Sequence, residues 1–381
     1  MKVRAIKLQD VDYGDQWDRE IEDQWSYRDF IADDRWREGW ISFDCGIYRP
    51  DERRVYLGVT CFDAKRIFVA YDRDSDGFVE LGYDRVADPF DAKFHRSMVT
   101  GSDGCLYAAP ALLHCPDQYL AAPGAAIVRY NPADGTIEKL GTPLPHAYIQ
   151  ALTIDRARET LYCLTFAPEY LVSYHIPTGE SRVLGLIGSG IFGMTQSENL
   201  VLDDDDCVWS NWSLSRAWQT EAGPDVMRIS KYDPRQERMI YFDEGLPWPD
   251  GRPGYAKVEA YFNLGDGNMY ASGANGAFYR LDRDTGKAEH LFTPTPDRPS
   301  RLTSLVVDDE RGAWGVTGRD GNCELMRIDV DNMTFEKPVE MKNGAAAMWQ
   351  CHDIVRADDG VMFACENDNT SRSSYLWEVT P

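Results

Sequence analysis

Residues 94–130 alternate polar and apolar positions, break at turn residues and begin again. That rhythm predicts a strand at 94–100, a Ser-Asp-Gly turn, a second strand from 105 to about 112 and a third at 126–130. The same unit recurs along the chain: an alternating strand, an acidic or glycine turn, a strand opening on an aromatic, then a hairpin tipped by Asp, Asn, Pro or Gly. Seven copies can be aligned on Tyr56, Tyr107, Tyr162, Trp209, Tyr270, Trp314 and Phe363. The segments at 69–82, 128–141, 172–185 and 279–292 read as outer hairpins, with Asp-Gly or Thr-Gly at the tip. The last copy ends in SYLWEVTP, a third strand without a fourth, while VRAIKLQ at 3–9 is a spare alternating strand at the other end of the chain. Pairing the two closes the ring without a free edge. The pattern therefore predicts an all-β fold, a seven-bladed β-propeller whose ring is closed by an N-terminal strand completing the last blade. It forms one domain over 1–381, with an irregular, acidic, Trp-rich segment at 10–40.

Composition narrows the partners. A net charge of −23 and a pI near 4.6 argue against nucleic acid and anionic membrane, both of which demand a basic surface. An anionic ligand needs a locally basic pocket. Nine cysteines without a CxxC pair read as free thiols in a reducing compartment. The start MKVRAIKLQDVDYG lacks the apolar stretch of a secretion signal, so a cytoplasmic location is expected. The acidic run at 203–206 reads as a solvated turn rather than a calcium site.

A propeller is a scaffold, and its chemistry lies at the mouth of its central funnel. The hairpin at 94–112 brings its two ends together, so His95 and His114 are expected at one mouth. Aligning the other blades adds Tyr148, Gln150, Tyr170, Asn211, Trp212, Arg216, Trp349 and His352. Imidazoles, phenols, indoles, an amide and a guanidinium suit a sugar acid: aromatic faces stack on the ring, arginine pairs with the carboxylate, and His or Tyr moves protons. Packing is the plainer reading for Tyr148, Tyr170, Trp349 and His352. No nucleophile elbow or phosphate loop is present.

KFHRSMVTGSDGCLYAAPALLH, VRYNPADGTIEKLG and HAYIQALTIDRARETLYCLT resemble the seven-bladed polysaccharide lyases, which include ulvan lyases and rhamnosyl-glucuronate lyases. The resemblance implies two catalytic histidines about twenty residues apart, matched by His95 and His114. It implies β-elimination at a uronate, most simply a rhamnosyl-α-1,4-glucuronate linkage in an anionic oligo- or polysaccharide, leaving an unsaturated uronate. Elimination requires a neutralised carboxylate, removal of the C5 proton and protonation of O4. On this reading His95 moves the proton and His114 orients or neutralises. Arg216 clamps the carboxylate, and Tyr170 is a second base or acid. Tyr148, Gln150, Asn211, Trp212, Trp349 and His352 contact substrate. No cofactor is needed, although His95, His114, His352 and Gln150 would supply the histidine-and-glutamine set that holds a divalent metal in some pectic lyases. The alternative is a non-catalytic propeller binding a protein or glycan at its funnel. A calcium-dependent lactonase would require convergent acidic ligands that the sequence does not supply.

Overall fold

The computed structural model describes residues 1–14, 32–166, 168–189, 197–214, 226–249, 257–273 and 276–381. Arg216 lies outside them. The described strands form seven successive antiparallel units, one per predicted repeat. Their inner strands are Ser42–Arg49, Met98–Thr100, Tyr148–Asp155, Val201–Leu202, Val258–Asn263, Val306–Val307 and Cys351–Arg356. All seven aromatic anchors fall in the second strand of their blade. The fold is the predicted β-propeller.

Ring closure follows the sequence expectation with a shorter strand. Lys2–Ile6 pairs antiparallel with Leu376–Thr380, from Lys2 opposite Thr380 to Ile6 opposite Leu376. Residues 7–9 leave the ladder, and the chain is turned there by the Lys7–Asp10 ion pair at 2.8 Å and by the Tyr375 hydroxyl, which donates to Asp10 at 2.6 Å. In the segment after it, Tyr13 packs on Trp36 and Trp40 and its hydroxyl donates to the Gly39 carbonyl.

The repeat has a physical cause. In five blades the anchor's polar atom donates to an acid in the preceding turn: Tyr56 to Glu52, Tyr107 to Asp103, Trp209 to Asp203, Tyr270 to Asp266 and Trp314 to Asp308. Each anchor thereby satisfies its polar end while its ring packs into the core. This explains the acidic run. Asp203 takes the Trp209 indole N–H and the Asp205 and Cys207 amides, Asp205 pairs with Arg283, and Asp206 pairs with Arg158 at 3.1 Å. The nine cysteines are free and buried.

Blade 2 departs from its predicted strands. The expected strand at 94–100 pairs with its hairpin partner only over Met98–Thr100, because Arg96 bonds the next blade instead: its N–H donates to the Gln150 carbonyl at 3.1 Å, and its own carbonyl accepts from Leu152. The expected strand at 105–112 is split around Ala109 and Pro110 into Leu106–Ala108 and Ala111–Leu112, the latter pairing with Asp91–Lys93. Proline lacks the N–H that would carry the ladder across.

Asp91 in this side ladder is buried, accepts from the Tyr83 hydroxyl at 2.7 Å and leaves its Oδ1 without a hydrogen bond among the described residues. Burial raises its carboxyl to about 6. A raised folded pKa favours the protein at low pH, and this contribution is lost as pH rises through about 6. Asp91→Asn is expected to gain about 2–3 kcal/mol near neutral pH and nothing below about pH 4, as measured by urea unfolding at both. A gain that does not change with pH would contradict the assignment.

Candidate functional site

The inner strands place one polar residue per blade at equivalent positions facing the axis: Asp44, His95, Gln150, Glu198, Glu259, Thr303 and His352. Arg96, one past His95, bridges Ala151, one past Gln150, which fixes the equivalence of His95 and Gln150. The Glu198 N–H donates to the Glu259 carbonyl at 2.7 Å. Asp44, Gln150, Glu259 and His352 are the residues skipped at bulges of their inner strands. A bulged residue has no cross-strand partner, and the local kink redirects its side chain. His95, Glu198 and Thr303 just precede theirs. Apart from half-buried Glu259, none of the seven is more than 5% exposed, so they plug the axis. A cavity of about 290 Å³ lies behind the plug, bounded in part by Arg96, Asn199, Ser304 and Asp353.

Glu198 is the hub of the plug. Its Oε1 pairs with Lys257 Nζ at 3.1 Å and with an Arg301 nitrogen at 3.4 Å. Its Oε2 faces His95 Nε2 and His352 Nε2, each at 3.3 Å, and the Gln150 amide at 3.5 Å. Burial pushes this carboxyl up, but Lys257, His352, His95 and Arg301 outweigh it and hold it well below the usual carboxylate range. Burial, with help from Lys93 and His352, pushes the His95 imidazole well below its ordinary value and keeps it neutral. Burial raises Asp44 to about 6 against the pull of Lys93 and His352. The two imidazole rings stand edge to face, 4.4 Å apart. Asp44, His95 and His352 have ligand atoms within 4.8 Å of one another, a grouping that can hold a metal ion.

Two positions earlier on the same strands stand Ser42, Lys93, Tyr148, Lys257, Arg301 and Gln350. Lys93 is half-buried and makes no hydrogen bond or ion pair among the described residues, yet its charge acts on both His95 and Asp44. Arg301 is held by Glu259, its Nε donating at 2.6 Å. Tyr148 packs on Phe166, and burial, then Glu169 and Glu198, raises its phenol well above its ordinary value, so it stays protonated.

The sequence candidates therefore divide. His95, Gln150 and His352 meet at the plug, with Tyr148 within electrostatic reach of Glu198. Half-buried His114 stands elsewhere: its Nδ1 lies 2.9 Å from its neighbour Cys115's carbonyl and its ring contacts Phe90 and Tyr119. Leu113 bonds the Phe90 carbonyl, so His114 lies beside Phe90 at the start of the Asp91–Lys93 side ladder. Tyr170 is half-buried and its N–H is held by Thr165. Asn211 is buried, accepts from the Ser197 N–H and leaves its amide nitrogen unpartnered among the described residues. Trp212 turns outward, its indole N–H donating to the Phe242 carbonyl and its ring packing on Tyr241 and Arg228. The Trp349 N–H donates to buried Glu366.

Sequence reasoning missed Asp44, Lys93, Glu198, Lys257, Glu259 and Arg301. The available signal was positional: QSENLVLD aligns with YIQALTID, placing Glu198 opposite Gln150.

No protein-family model and no curated protein matches the chain. Solved structures do match in fold. Virginiamycin B lyase from Staphylococcus aureus aligns with a TM-score of 0.61 at 14% identity, covering 89% of this chain and 95% of that one. Its catalytically inactive histidine-to-alanine form with quinupristin aligns over 100% and 99%, with a TM-score of 0.62 at 12% identity. The RRP9 WD40 repeats align with a TM-score of 0.55 at 10% identity, covering 89% and 94%. At these identities the likeness is one of architecture, shared by a lyase and by WD40 repeats, and the chain is a β-propeller.

Proposed function

We propose that the chain is a carbon–oxygen lyase acting by β-elimination on a carboxylate-bearing glycan, a glucuronate linkage being the simplest case. The observation that carries the reading is Lys93, an ammonium without a partner among the described residues, beside two buried imidazoles at the axis of a molecule of net charge −23. An unpaired cation held at a funnel floor is a receptor for an anion. The similarity in fold to virginiamycin B lyase is in keeping with elimination on this scaffold.

The roles follow from burial and proton state. Lys93 receives the substrate carboxylate, with Lys257 and Arg301 adding positive potential behind it. Neutralising that charge acidifies the adjacent carbon and stabilises the enolate-like charge that develops as its proton passes to a solvent water at the funnel mouth, from which Tyr148 is later reprotonated. Tyr148, held protonated, gives its proton to the departing oxygen. His95 takes a different role from the one expected of it. It is buried, with Nδ1 against the Gln150 carbonyl at 3.0 Å and Nε2 against Glu198 and the Gln150 amide, so it shapes the floor rather than reaching a sugar carbon.

Kinetics on a uronate polymer test this. Lys93→Ala is expected to lower kcat/KM about 10- to 100-fold, the range for losing a charged hydrogen bond. Tyr148→Phe is expected to lower kcat about 10²- to 10⁴-fold with KM little changed. Unchanged kcat/KM in Lys93→Ala would remove the reading's main support.

A further inference from the structure

Blade 3 breaks a rule that its neighbours keep. In the three other blades anchored by tyrosine, the hydroxyl donates to an acid four residues upstream: Tyr56 to Glu52, Tyr107 to Asp103 and Tyr270 to Asp266. In blade 3 the residue four before Tyr162 is Arg158. Tyr162 is only 3% exposed, and its hydroxyl makes no hydrogen bond among the described residues. Burial, then Asp155 and Tyr232, raises its phenol above the ordinary value, so it keeps its proton and remains a donor. A buried donor left bare is costly, and an acceptor from outside the chain relieves it.

Tyr162 lines a cavity of about 240 Å³ between blades 3 and 4, with Arg158, Arg182, Tyr232, Glu180 and Glu237. The turns around it, at 156–159, 176–179 and 234–237, lie at the opposite end of the strands from Tyr148 and the floor. Its two phenol rings stand 5.8 Å apart. The first two blades show a similar pair closed from within: Tyr56 and Tyr130 stand 5.9 Å apart, and Glu52 takes the Tyr56 hydroxyl. Between blades 3 and 4 that carboxylate is the missing part. Cations stand ready for one. Asp155 and Asp206 both take Nη1 of Arg158, and its Nε and Nη2 carry no bond among the described residues. Arg182 is exposed, its Nη1 3.4 Å from Glu237. The carboxylates of Glu180 and Glu237 only accept, so a ligand that bonds them brings hydroxyls. The cavity has room for about eight waters at roughly 30 Å³ each, or one sugar ring.

We infer that this interblade cavity binds a small hydroxy acid of sugar-acid size. Its carboxylate takes the place that Glu52, Asp103 and Asp266 fill in the other tyrosine-anchored blades, accepting from the Tyr162 hydroxyl beside the Arg158 and Arg182 guanidinium groups. Its hydroxyls donate to Glu180 and Glu237. The site is separate from the floor and does not depend on the lyase reading.

Sodium D-glucuronate is the probe, titrated into the full-length chain and followed by saturation-transfer difference NMR. The chain carries Lys93→Ala, so that the floor does not capture the probe. Glucuronate is expected to bind at one saturable site. D-Glucose, which lacks the carboxylate, and acetate, which lacks the hydroxyls, are each expected to bind about 10-fold more weakly or less. Tyr162→Phe, which removes the hydroxyl and keeps the ring, and Arg182→Ala are each expected to weaken glucuronate about 10-fold, the loss of one charge-assisted hydrogen bond. Circular dichroism confirms that each variant is folded; if Tyr162→Phe does not fold, Arg182→Ala on the exposed rim decides. No saturable binding leaves water as the acceptor and overturns the inference, as does binding that the folded variants retain or that acetate matches. Uronate cleavage by the wild type is scored separately: cleavage without this binding overturns the cavity site and keeps the lyase reading, and binding without cleavage does the reverse.

Discussion

Replacing Glu366 with alanine is expected to cost about 3–5 kcal/mol of stability, the range for leaving a buried ionic partner uncompensated. Glu366 is fully buried at the end of the second strand of blade 7. Its Oε1 accepts from the Trp349 N–H at 2.7 Å and the Asn369 amide at 2.9 Å, and its Oε2 from the Tyr375 N–H at 2.7 Å and the Trp377 indole at 3.0 Å. Arg372 closes the set with two bonds of 3.0 Å, and its guanidinium lies 3.7 Å over the Tyr375 ring. Truncation orphans all these donors and the guanidinium at once. Denaturant unfolding measures the loss, and a cost under about 1 kcal/mol would contradict the account.

Deleting residues 1–8 is expected to lower stability by a similar amount, about 5 kcal/mol, and to make the chain self-associate. The lost strand buries Val3 and Ile6, each worth about 1.5–3 kcal/mol. It also carries Arg4, which binds Asp76 at 2.9 Å, the Tyr71 hydroxyl at 2.7 Å and Glu378 at 2.5 Å, tying the last blade to the first. Its removal exposes the edge of Leu376–Thr380, a ready template for another chain. Thermal melting and size-exclusion chromatography report the two effects. A monomer with an unchanged melting temperature would show that closure is dispensable.

The scaffold was legible because it is written in repetition. Alternation, turn chemistry and an aromatic opening each second strand recur seven times, and the missing last strand pointed to the other end of the chain. The floor was only partly legible because it is written in position. Equivalent places hold Asp44, His95, Gln150, Glu198, Glu259, Thr303 and His352, which share no chemistry, and the bulges that aim four of them at the axis leave no mark in composition. Glu198 was overshadowed by the louder acidic run after it, whose members hold a tryptophan and several arginines. His95 and His114 looked paired by spacing. The Asp91–Lys93 ladder instead separates them, because Pro110 ends the hairpin that would have kept them together.

The floor also changes the expected response to salt. Lys93, Lys257 and Arg301 attract an anion locally, while 63 acidic side chains against 40 basic ones repel it at long range. Raising ionic strength screens the distant repulsion more than the short contacts. Substrate association is therefore expected to quicken with moderate salt.

The most direct measurement is ultraviolet absorbance of the purified chain incubated with gum arabic, ulvan and oligogalacturonate. Elimination leaves a double bond conjugated to the uronate carboxylate. The account predicts a rise on at least one of the three, most strongly on a glucuronate-bearing polymer, that Lys93→Ala reduces to a small fraction. Flat traces on all three, with a folded protein, would contradict the claim that this floor eliminates at a uronate.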